Sequence, residues 1–411
     1  MKHENKISDI LAFCADLSRN MITSGANLER VKLAAESICR AYGLRDVSIY
    51  ILSTHMSIGA TDKEGNYSSR QVSIPPSGIH LERLRSLNRL SYKVAEITPN
   101  ARFLGKMLER AMNVPDYSDK IVLAGKICAT SCLSFMFGGT FRELVPVAVV
   151  TAFIHWFMQV LERTGLDRLV INALTMFTAA VFAVGFIYSG IGGNLPAVLI
   201  TVSMLVIPGI PLVNAMRNLL CGNEINGILQ MLKIFVETMA LGLGIYSALA
   251  VFEGFITVQG LSVVDIHPSV MVMLSFAASV GFGVVFRIPT RDLWLAGLGG
   301  ALTRIALLML TPLTQSRLLY MTLSASVAAL YAEFLAVRRR QPSTYFVYPS
   351  IIPLIPGDLF FYALSGLFFG ERSWVELNGI NCLLSLAGLS IGFVLSSAVS
   401  VHVRRIRYVK G

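Results

Sequence analysis

The stretch Leu205-Val206-Ile207-Pro208-Gly209 recurs 148 residues later as Leu354-Ile355-Pro356-Gly357, and each copy lies in the middle of a long apolar run. Proline lacks a backbone donor and glycine lets the chain change direction, so each copy predicts a break in a membrane helix. The residues that follow match as well: Ala215 with Ala363, Leu219 with Leu367, and Gly222 with Gly370.

A second pair of matching segments lies upstream. Phe137-Gly138-x-x-Phe141-Arg142 matches Phe282-Gly283-x-x-Phe286-Arg287, at an interval of 145 residues. Because the two intervals nearly agree, the part of the chain after residue 120 is predicted to be one ancestral unit written twice. An odd number of spans per copy would insert the copies upside down relative to each other, as in many secondary transporters.

The composition excludes an ordinary soluble domain. Hydrophobic residues make up 54% of the chain and charged residues 15%, and the mean hydropathy is +0.63. A chain of this kind is typical of a bilayer. The first 120 residues are the exception, because they contain no apolar run long enough to cross hydrocarbon. They are predicted to form a cytosolic domain.

The expected fold is a polytopic α-helical membrane protein with ten transmembrane helices in a 5+5 inverted repeat, preceded by a small cytosolic α+β domain. The expected domains are the cytosolic domain (1–118), the first five-helix repeat (119–252), the second (268–403) and a basic cytosolic tail (404–411). The ten predicted spans are 121–140, 144–161, 169–189, 195–215, 228–251, 269–286, 293–311, 318–337, 345–369 and 378–402.

The distribution of Arg and Lys predicts the orientation. With a cytosolic N-terminus, the cytosolic loops and tail hold twelve of these residues and the opposite loops only Arg142, Arg317 and Arg372. Positive charge collects on the cytosolic side, so we expect a multi-pass inner (plasma) membrane protein with both termini cytoplasmic. The net charge of +10 is then explained by topology and by anionic lipid, without nucleic acid. The cytosolic set is Arg163, Arg168, Arg217, Arg287, Arg291, Arg338, Arg339, Arg340, Arg404, Arg405, Arg407 and Lys410.

The first 120 residues show the pattern of a compact α+β module. Apolar residues at helical spacing predict helices over 7–21 and 28–42, and a basic helix is predicted over about 80–96. Alternation over 47–52 predicts a strand, followed by a turn at 63–66 and a short extended segment at 72–74. Six cysteines have neither metal-ligand nor disulfide spacing and are expected to be reduced.

Several short motifs together resemble the threonine/serine exporter family, which is related to the two-component succinate exporters. They are the helix-break-helix Met21-Ile22-Thr23-Ser24-Gly25-Ala26-Asn27 and onward to Val31, Gly43-Leu44 before a strand, Gly78-Ile79-His80-Leu81, and the Pro-Gly in each fourth span. The resemblance implies a cytoplasmic domain followed by ten spans, and outward transport driven by the proton-motive force. It implies export of a small carboxylate-bearing metabolite and leaves amino acid or dicarboxylate open.

The helix breaks are the first candidate substrate site. A transporter must replace the water around a substrate's charged groups, and half-helix ends and irregular backbone can do so. Pro208, Gly209, Pro356 and Gly357 are therefore predicted to bind substrate. A kink without function is the alternative for either break alone, but the paired depth favours a functional break.

Two charged residues within predicted spans are the sharpest candidates. Asp358 follows the second break, where an ionised carboxylate costs about 2.5–3.5 kcal/mol; burial favours its protonated form, as a proton carrier needs. Binding a substrate ammonium is a second role, and a helix cap a third. Arg304 could clamp a carboxylate in bidentate fashion, or it could pair structurally with an acid such as Asp358 or Glu237.

Other polar residues complete the predicted site. Glu237 and His155 are further candidates for proton coupling, and His155 has a packing role as its alternative. Lys233 lies one turn from Glu237 and can neutralise it. Asn214 follows the first break by five residues, and Asn381 is the repeat partner of Lys233, so these two and Lys233 are predicted to contact substrate, with interhelical hydrogen bonding as the alternative for the asparagines.

The resemblance, taken together with the candidate residues, implies a proton-coupled exporter that works by alternating access. No cofactor or metal is expected; the expected partners are the small-molecule substrate, protons, the bilayer and a second copy in a homo-oligomer. A membrane-tethered enzyme is the alternative class, with His55, His80 and the turn at Thr23 as its candidates, but no triad, metal spacing or phosphate loop accompanies them. A channel is the third class.

Overall fold

The computed structural model describes residues 7–52, 54–75, 78–252, 266–339 and 341–409, with side chains as far as residue 396. Arg340, Lys410 and Gly411 lie outside these ranges, as do the side chains of the predicted basic tail. The chain divides into two compact units. The first consists of Met1–Tyr117, Phe286–Pro289 and Phe334–Tyr345, and the second of Ser118–Val285, Thr290–Glu333 and Phe346–Gly411.

In the N-terminal part of the first unit, the described residues form four helices and a three-stranded antiparallel sheet in the order β1-β2-β3. The two predicted N-terminal helices, the first strand and the basic helix are confirmed, and the extended segments around the predicted turn form β2 and β3. The helix after Pro99 was not predicted, although Asn100 is a favourable cap and accepts a hydrogen bond from the Arg102 N–H. The elements are α1 (Ile7–Thr23), α2 (Leu28–Ala41), β1 (Arg45–Ile51), β2 (His55–Thr61), β3 (Tyr67–Ser73), α3 (Leu81–Ile97) and α4 (Ala101–Met112).

The other described α-helices belong to the second unit, except that residues 334–339 and 344–345, at the end of one helix and the beginning of the next, belong to the first unit. These helices are α5 (Asp119–Met136), α6 (Leu144–Glu162), α7 (Arg168–Tyr188), α8 (Leu195–Ser203), α9 (Gly209–Leu220), α10 (Glu224–Val251), α11 (Pro268–Val285), α12 (Leu293–Leu310), α13 (Arg317–Arg339), α14 (Thr344–Ser350), α15 (Gly357–Phe369) and α16 (Arg372–Val409).

Seven helical stretches within the described residues are long and apolar enough to cross a membrane. They are Phe141–Glu162, Arg168–Tyr188, Glu224–Val251, Pro268–Val285, Thr290–Leu313, Arg317–Arg339 and Arg372–Ser396. The other three predicted spans correspond to α5, which carries three charged residues, and to the two broken helices α8–α9 and α14–α15. The multi-pass helical class is therefore confirmed. The count of ten spans stays a prediction, because seven of the described helical stretches meet the length and composition of a membrane span.

Both predicted helix breaks are confirmed, and they share one backbone conformation. Pro208 has φ −78° and ψ 66°, and Pro356 has φ −78° and ψ 59°. In each copy the glycine N–H donates to the carbonyl two residues before it, at 2.8 Å. These values describe an inverse γ-turn. The same turn therefore separates α8 from α9 and α14 from α15.

The helix boundaries repeat along the chain at a nearly constant interval. The first residues of α5 and α11, Asp119 and Pro268, are 149 positions apart, and those of α9 and α15, Gly209 and Gly357, are 148 apart. The match around Phe141 and Phe286 at an interval of 145 is thus displaced by one helical turn and does not align equivalent positions. The Pro-Gly match does align equivalent positions, because in each copy the Pro-Gly pair forms the helix break.

Two close helix crossings repeat with the same interval. A Cβ on Gly244 of α10 would collide with the carbonyl oxygen of Ala173 in α7. A Cβ on Gly392 of α16 would lie 2.6 Å from the carbonyl oxygen of Thr322 in α13. Small residues let membrane helices approach this closely. Both copies therefore pack the third helix of the repeat against the last one in the same way.

Candidate functional site

A cavity of about 400 Å³ lies beside the second helix break. Asp358, Arg304 and Arg317 are among the residues that line it. The cavity lies towards the end of α5, the end of α12 and the beginning of α13. Its other lining residues are Leu133, Met136, Phe137, Gly138, Met271, Leu307, Thr311, Tyr320, Met321, Ile352, Pro353, Leu354, Ile355, Pro356, Leu359 and Ser385.

Arg304 is held by two neutral partners. Its Nε donates to Ser275 Oγ at 3.0 Å and its Nη2 donates to the carbonyl oxygen of Pro353 at 3.2 Å. A guanidinium has five N–H donors in a fixed plane, so three remain for a ligand in the cavity. No ion pair within 4.0 Å joins Arg304 to a carboxylate among the described residues. The arginine is therefore positioned without being neutralised by contact.

Asp358 occupies the first turn of α15, directly after the Pro356-Gly357 turn. This position is half-buried and lines the same cavity as Arg304. The first turn of a helix carries partial positive charge from its N–H groups, which stabilises an anion there. Asp358 can therefore both stabilise the beginning of α15 and contact a ligand in the cavity. The structure brings together the two residues that the sequence singled out most sharply.

Arg317 is a site residue that the sequence analysis missed. It is the first residue of α13, and its guanidinium carbon lies 5.8 Å from the centre of the Tyr320 ring. The sequence analysis treated it only as an outer-loop charge. A signal was available, because Arg168 begins α7 and is 149 positions earlier, so both copies carry an arginine at the same helix start.

The two helix breaks lie against each other. A Cβ on Gly209 would lie 3.0 Å from Ile355, and a Cβ on Gly357 would lie 2.5 Å from Met204. The absence of a Cβ at each glycine thus leaves room for a side chain next to the other break, Ile355 beside Gly209 and Met204 beside Gly357. The first break is not among the residues that line the large cavity; its Ile207 lines a smaller, largely apolar cavity of about 20 Å³. Of the four predicted break residues, only Pro356 lines the large cavity.

The remaining predicted residues lie away from the large cavity. Lys233 Nζ is 4.0 Å from Glu237 Oε1, so the predicted neutralising pair is present on α10. Asn214 donates from Nδ2 to the Tyr348 hydroxyl at 3.1 Å, an interhelical bond. Asn381 is half-buried on α16, one turn before Ser385, which lines the cavity.

His155 belongs to a separate polar cluster. Its Nδ1 is 3.0 Å from Lys126 Nζ, and its Nε2 is 3.1 Å from Asp119 Oδ1. Gln159 Nε2 donates to the same Asp119 oxygen at 2.8 Å. Asp119 and Lys126 could not be paired with His155 from the sequence, because they lie on α5 while His155 and Gln159 lie one turn apart on α6. Across the described ranges, no group of three or more His, Cys, Asp or Glu residues could hold a metal ion.

Comparison with known proteins identifies the family. The family described as "Putative threonine/serine exporter" matches residues 12–252, and the one described as "Threonine/Serine exporter, ThrE" matches residues 271–399. A curated "Probable threonine/serine exporter" from Mycobacterium tuberculosis is 22% identical over 380 residues, which cover 88% of this chain and 70% of that protein. No solved structure matches the chain. The chain therefore belongs to the threonine/serine exporter family, a family of multi-pass membrane transporters rather than enzymes.

Proposed function

We propose that the protein exports a small carboxylate-bearing metabolite, threonine or serine, from the cytoplasm by alternating access driven by the proton-motive force. The observation that carries the proposal is the presence of Arg304 and Asp358 in one cavity beside a helix break. A zwitterion needs an anion site and a cation site at a short distance, in a place from which water is largely removed. The cavity offers both charges, and the name of the family agrees with this substrate class.

Arg304 receives the substrate carboxylate in this proposal. Its Ser275 and Pro353 bonds fix the guanidinium plane while leaving donors for a ligand. Hydrogen bonds between an arginine and a carboxylate are charge-assisted and about twice as strong as neutral ones. Positioning the plane before the substrate arrives lowers the entropic cost of binding.

Asp358 receives the substrate ammonium and also couples transport to protons. An external proton that neutralises its carboxylate removes the partner of the ammonium, so the amino acid leaves towards the outside. The proton is then carried inward as the emptied site turns to the cytoplasm. One proton enters for each amino acid that leaves, which is antiport.

Arg317 favours a second candidate, a dicarboxylate such as succinate. Two guanidinium groups line the same cavity, and each could hold one carboxylate of such a substrate. Asp358 would then act in proton coupling alone. The two candidates differ in which residue holds the far end of the substrate, so substitutions at Asp358 and Arg317 separate them.

We propose the full predicted architecture: ten spans in a 5+5 inverted repeat, with domains 1–118, 119–252, 268–403 and 404–411 and both termini on the cytoplasmic face of the inner membrane. The repeated helix starts support the repeat. Phe286–Pro289, between α11 and α12, and Phe334–Tyr345, which includes the end of α13 and the beginning of α14, belong to the same compact unit as the N-terminal module. They carry Arg287, Arg338 and Arg339, which fits one positively charged cytoplasmic side. The cavity then faces outward.

Efflux from proteoliposomes tests the function. Vesicles are preloaded with labelled threonine, serine or succinate, and efflux is followed with and without an inward proton gradient. We expect gradient-driven efflux of one substrate class, which Arg304→Met abolishes. The exposed Arg142→Met removes the same charge outside the cavity and should leave efflux unchanged. Absence of gradient-driven efflux for all three compounds would overturn the proposal.

A further inference from the structure

The helix repeat places His155 and Arg304 at the same position. His155 is the twelfth residue of α6, and Arg304 is the twelfth residue of α12. Their partners correspond too, because Lys126 is the eighth residue of α5 and Ser275 is the eighth residue of α11. In each copy the two positions touch: Lys126 Nζ lies 3.0 Å from His155 Nδ1, and Arg304 Nε lies 3.0 Å from Ser275 Oγ. Both copies therefore have a polar contact between these two positions. The cationic residue is Lys126 on the first helix of the first copy, and it is Arg304 on the second helix of the second copy.

The hydrogen bonds in the first copy have a defined direction. An ammonium group can only donate, so Lys126 donates to His155 Nδ1, and the Nε2–H of the imidazole then donates to Asp119. Gln159 gives that carboxylate a second donor at 2.8 Å. His155 is buried, with 7% of its surface exposed, whereas 64% of the Asp119 side chain is exposed. A buried imidazole and an amide thus hold the carboxylate of a largely exposed side chain, while the Lys126 ammonium contacts the other nitrogen of the imidazole.

We propose that Lys126, His155 and Gln159 form a second carboxylate-binding subsite, which the protein's own Asp119 occupies in this structure and the substrate carboxylate occupies when it enters from the cytoplasm. The inference rests on the proposed function. In an inverted repeat, equivalent positions reach opposite faces of the membrane. The cavity around Arg304 serves the outer face, so its counterpart at His155 serves the inner face. Lys126 supplies the charge, and His155 and Gln159 supply the directed donors.

Side-specific kinetics test the subsite. Transport of labelled threonine and succinate is measured in inside-out and right-side-out membrane vesicles, so that the half-saturation concentration is obtained separately for the cytoplasmic and the external face. Lys126→Met removes the charge and should raise the half-saturation concentration at the cytoplasmic face (the cytoplasmic value) at least about tenfold. Asp119→Ala removes the competing carboxylate and should lower the cytoplasmic value about threefold or more. Neither should change the external value, which also shows that each variant is folded.

Two substitutions at the same end of these helices serve as matched controls. Lys120→Met removes a positive charge from the exposed neighbour of Asp119, and Glu162→Gln removes a negative charge from the exposed end of α6. Both should leave the cytoplasmic value within about twofold, because a solvated charge contributes little to binding nearby.

The outcomes separate this inference from the function on which it rests. If wild-type protein carries neither compound, the proposed function fails, and the subsite fails with it. If wild-type protein carries one of them but Lys126→Met keeps its cytoplasmic half-saturation concentration, the subsite alone is overturned. The subsite is also overturned if Asp119→Ala raises that value, since Asp119 would then assist substrate rather than compete with it.

Discussion

Arg304 donates through Nη2 to the carbonyl oxygen of Pro353, three residues before the proline of the second helix break. A continuous helix would have used this carbonyl for the N–H of Gly357, four residues later. The turn redirects that N–H to Ile355 instead. An unpaired buried carbonyl is costly, and Arg304 removes the cost. One side chain thus stabilises the break and presents charge to the cavity that the break opens.

Replacing Arg304 with lysine tests this double role. A lysine keeps the charge but lacks the planar fork that reaches Ser275 and Pro353 while facing a ligand. Losing a hydrogen bond to a charged group costs about 1.5–3 kcal/mol. We therefore expect Arg304→Lys to raise the half-saturation concentration for efflux about tenfold or more in proteoliposomes. Equal kinetics for Arg304→Lys and wild type would show that charge alone suffices.

Asp358 and Arg317 should respond differently to different substrates. If the substrate is an amino acid, Asp358→Asn removes the partner of the ammonium and should abolish gradient-driven threonine efflux, while Arg317→Gln should weaken it by less than about threefold. If it is a dicarboxylate, Arg317→Gln should weaken succinate efflux by about tenfold or more. Threonine efflux that survives Asp358→Asn with its proton dependence intact would contradict the role proposed for Asp358.

The sequence predicted the features that depend on local backbone chemistry. Pro208 and Pro356 are each followed by glycine, and this pair predicted a helix break at each position. Both breaks are where they were expected. Arg304 and Asp358 could be singled out because ionised groups in hydrocarbon are costly. By contrast, the match at Phe141 and Phe286 gave an interval that is four residues too short. Apolar residues recur by chance in membrane helices, and these do not determine a specific turn.

The sequence could not reveal which residues share a surface. Asp119 and Lys126 lie on α5 and His155 on α6, so their cluster exists only through helix packing. Arg317 was assigned only to an outer loop, because the count of positive residues on each side of the membrane does not show which of them line a cavity. Assembly of the cavity from α5, α12, α13 and the second break needed the tertiary structure. The Pro-Gly interval of 148 residues pairs His155 with Thr303. Only the helix starts of the structure, which are 149 residues apart for α6 and α12, pair His155 with Arg304.

Glycine at the crossing of α7 and α10 should contribute to the stability of the fold. A methyl group on Gly244 would meet the Ala173 carbonyl and would lie 2.9 Å from the Phe177 nitrogen, so the helices must separate. Overpacking of this kind costs about 1–3 kcal/mol. We expect Gly244→Ala to lower the thermal unfolding midpoint of the purified protein in detergent.

Gly185 of α7 is the matched control for that substitution. Among the described residues, no atom outside the local backbone of α7 lies within 4 Å of the position its Cβ would take, and alanine is favoured over glycine in a helix by up to about 1 kcal/mol. Gly185→Ala should therefore keep or raise the midpoint. Equal midpoints for the two variants would contradict the close crossing at Gly244.

His80 should make the start of α3 sensitive to acid. Its Nδ1 accepts the Arg83 N–H as the cap of α3, and its Nε2 lies 3.6 Å from Asp116, which pairs with Arg287 at 3.1 Å. Burial lowers the pKa of His80 below its usual value, and the charges of Arg83 and Arg287 lower it further while Asp116 opposes them. The folded protein thus favours neutral His80. Its contribution to stability is present above the unfolded pKa of about 6.5 and is lost as the pH falls through that value towards the folded pKa.

Hydrogen exchange measures this effect directly. We expect the protection factors of amides 81–84 in the full-length protein to fall between about pH 7.5 and about pH 5.5, since protonated Nδ1 cannot accept the Arg83 N–H. His80→Asn keeps a side-chain acceptor for the cap and does not titrate, so it should remove the pH dependence. The start of α2, capped by Asn27, provides an internal reference that should not change. An identical loss of protection in His80→Asn would place the titrating group elsewhere, because the cap would then be intact at both pH values.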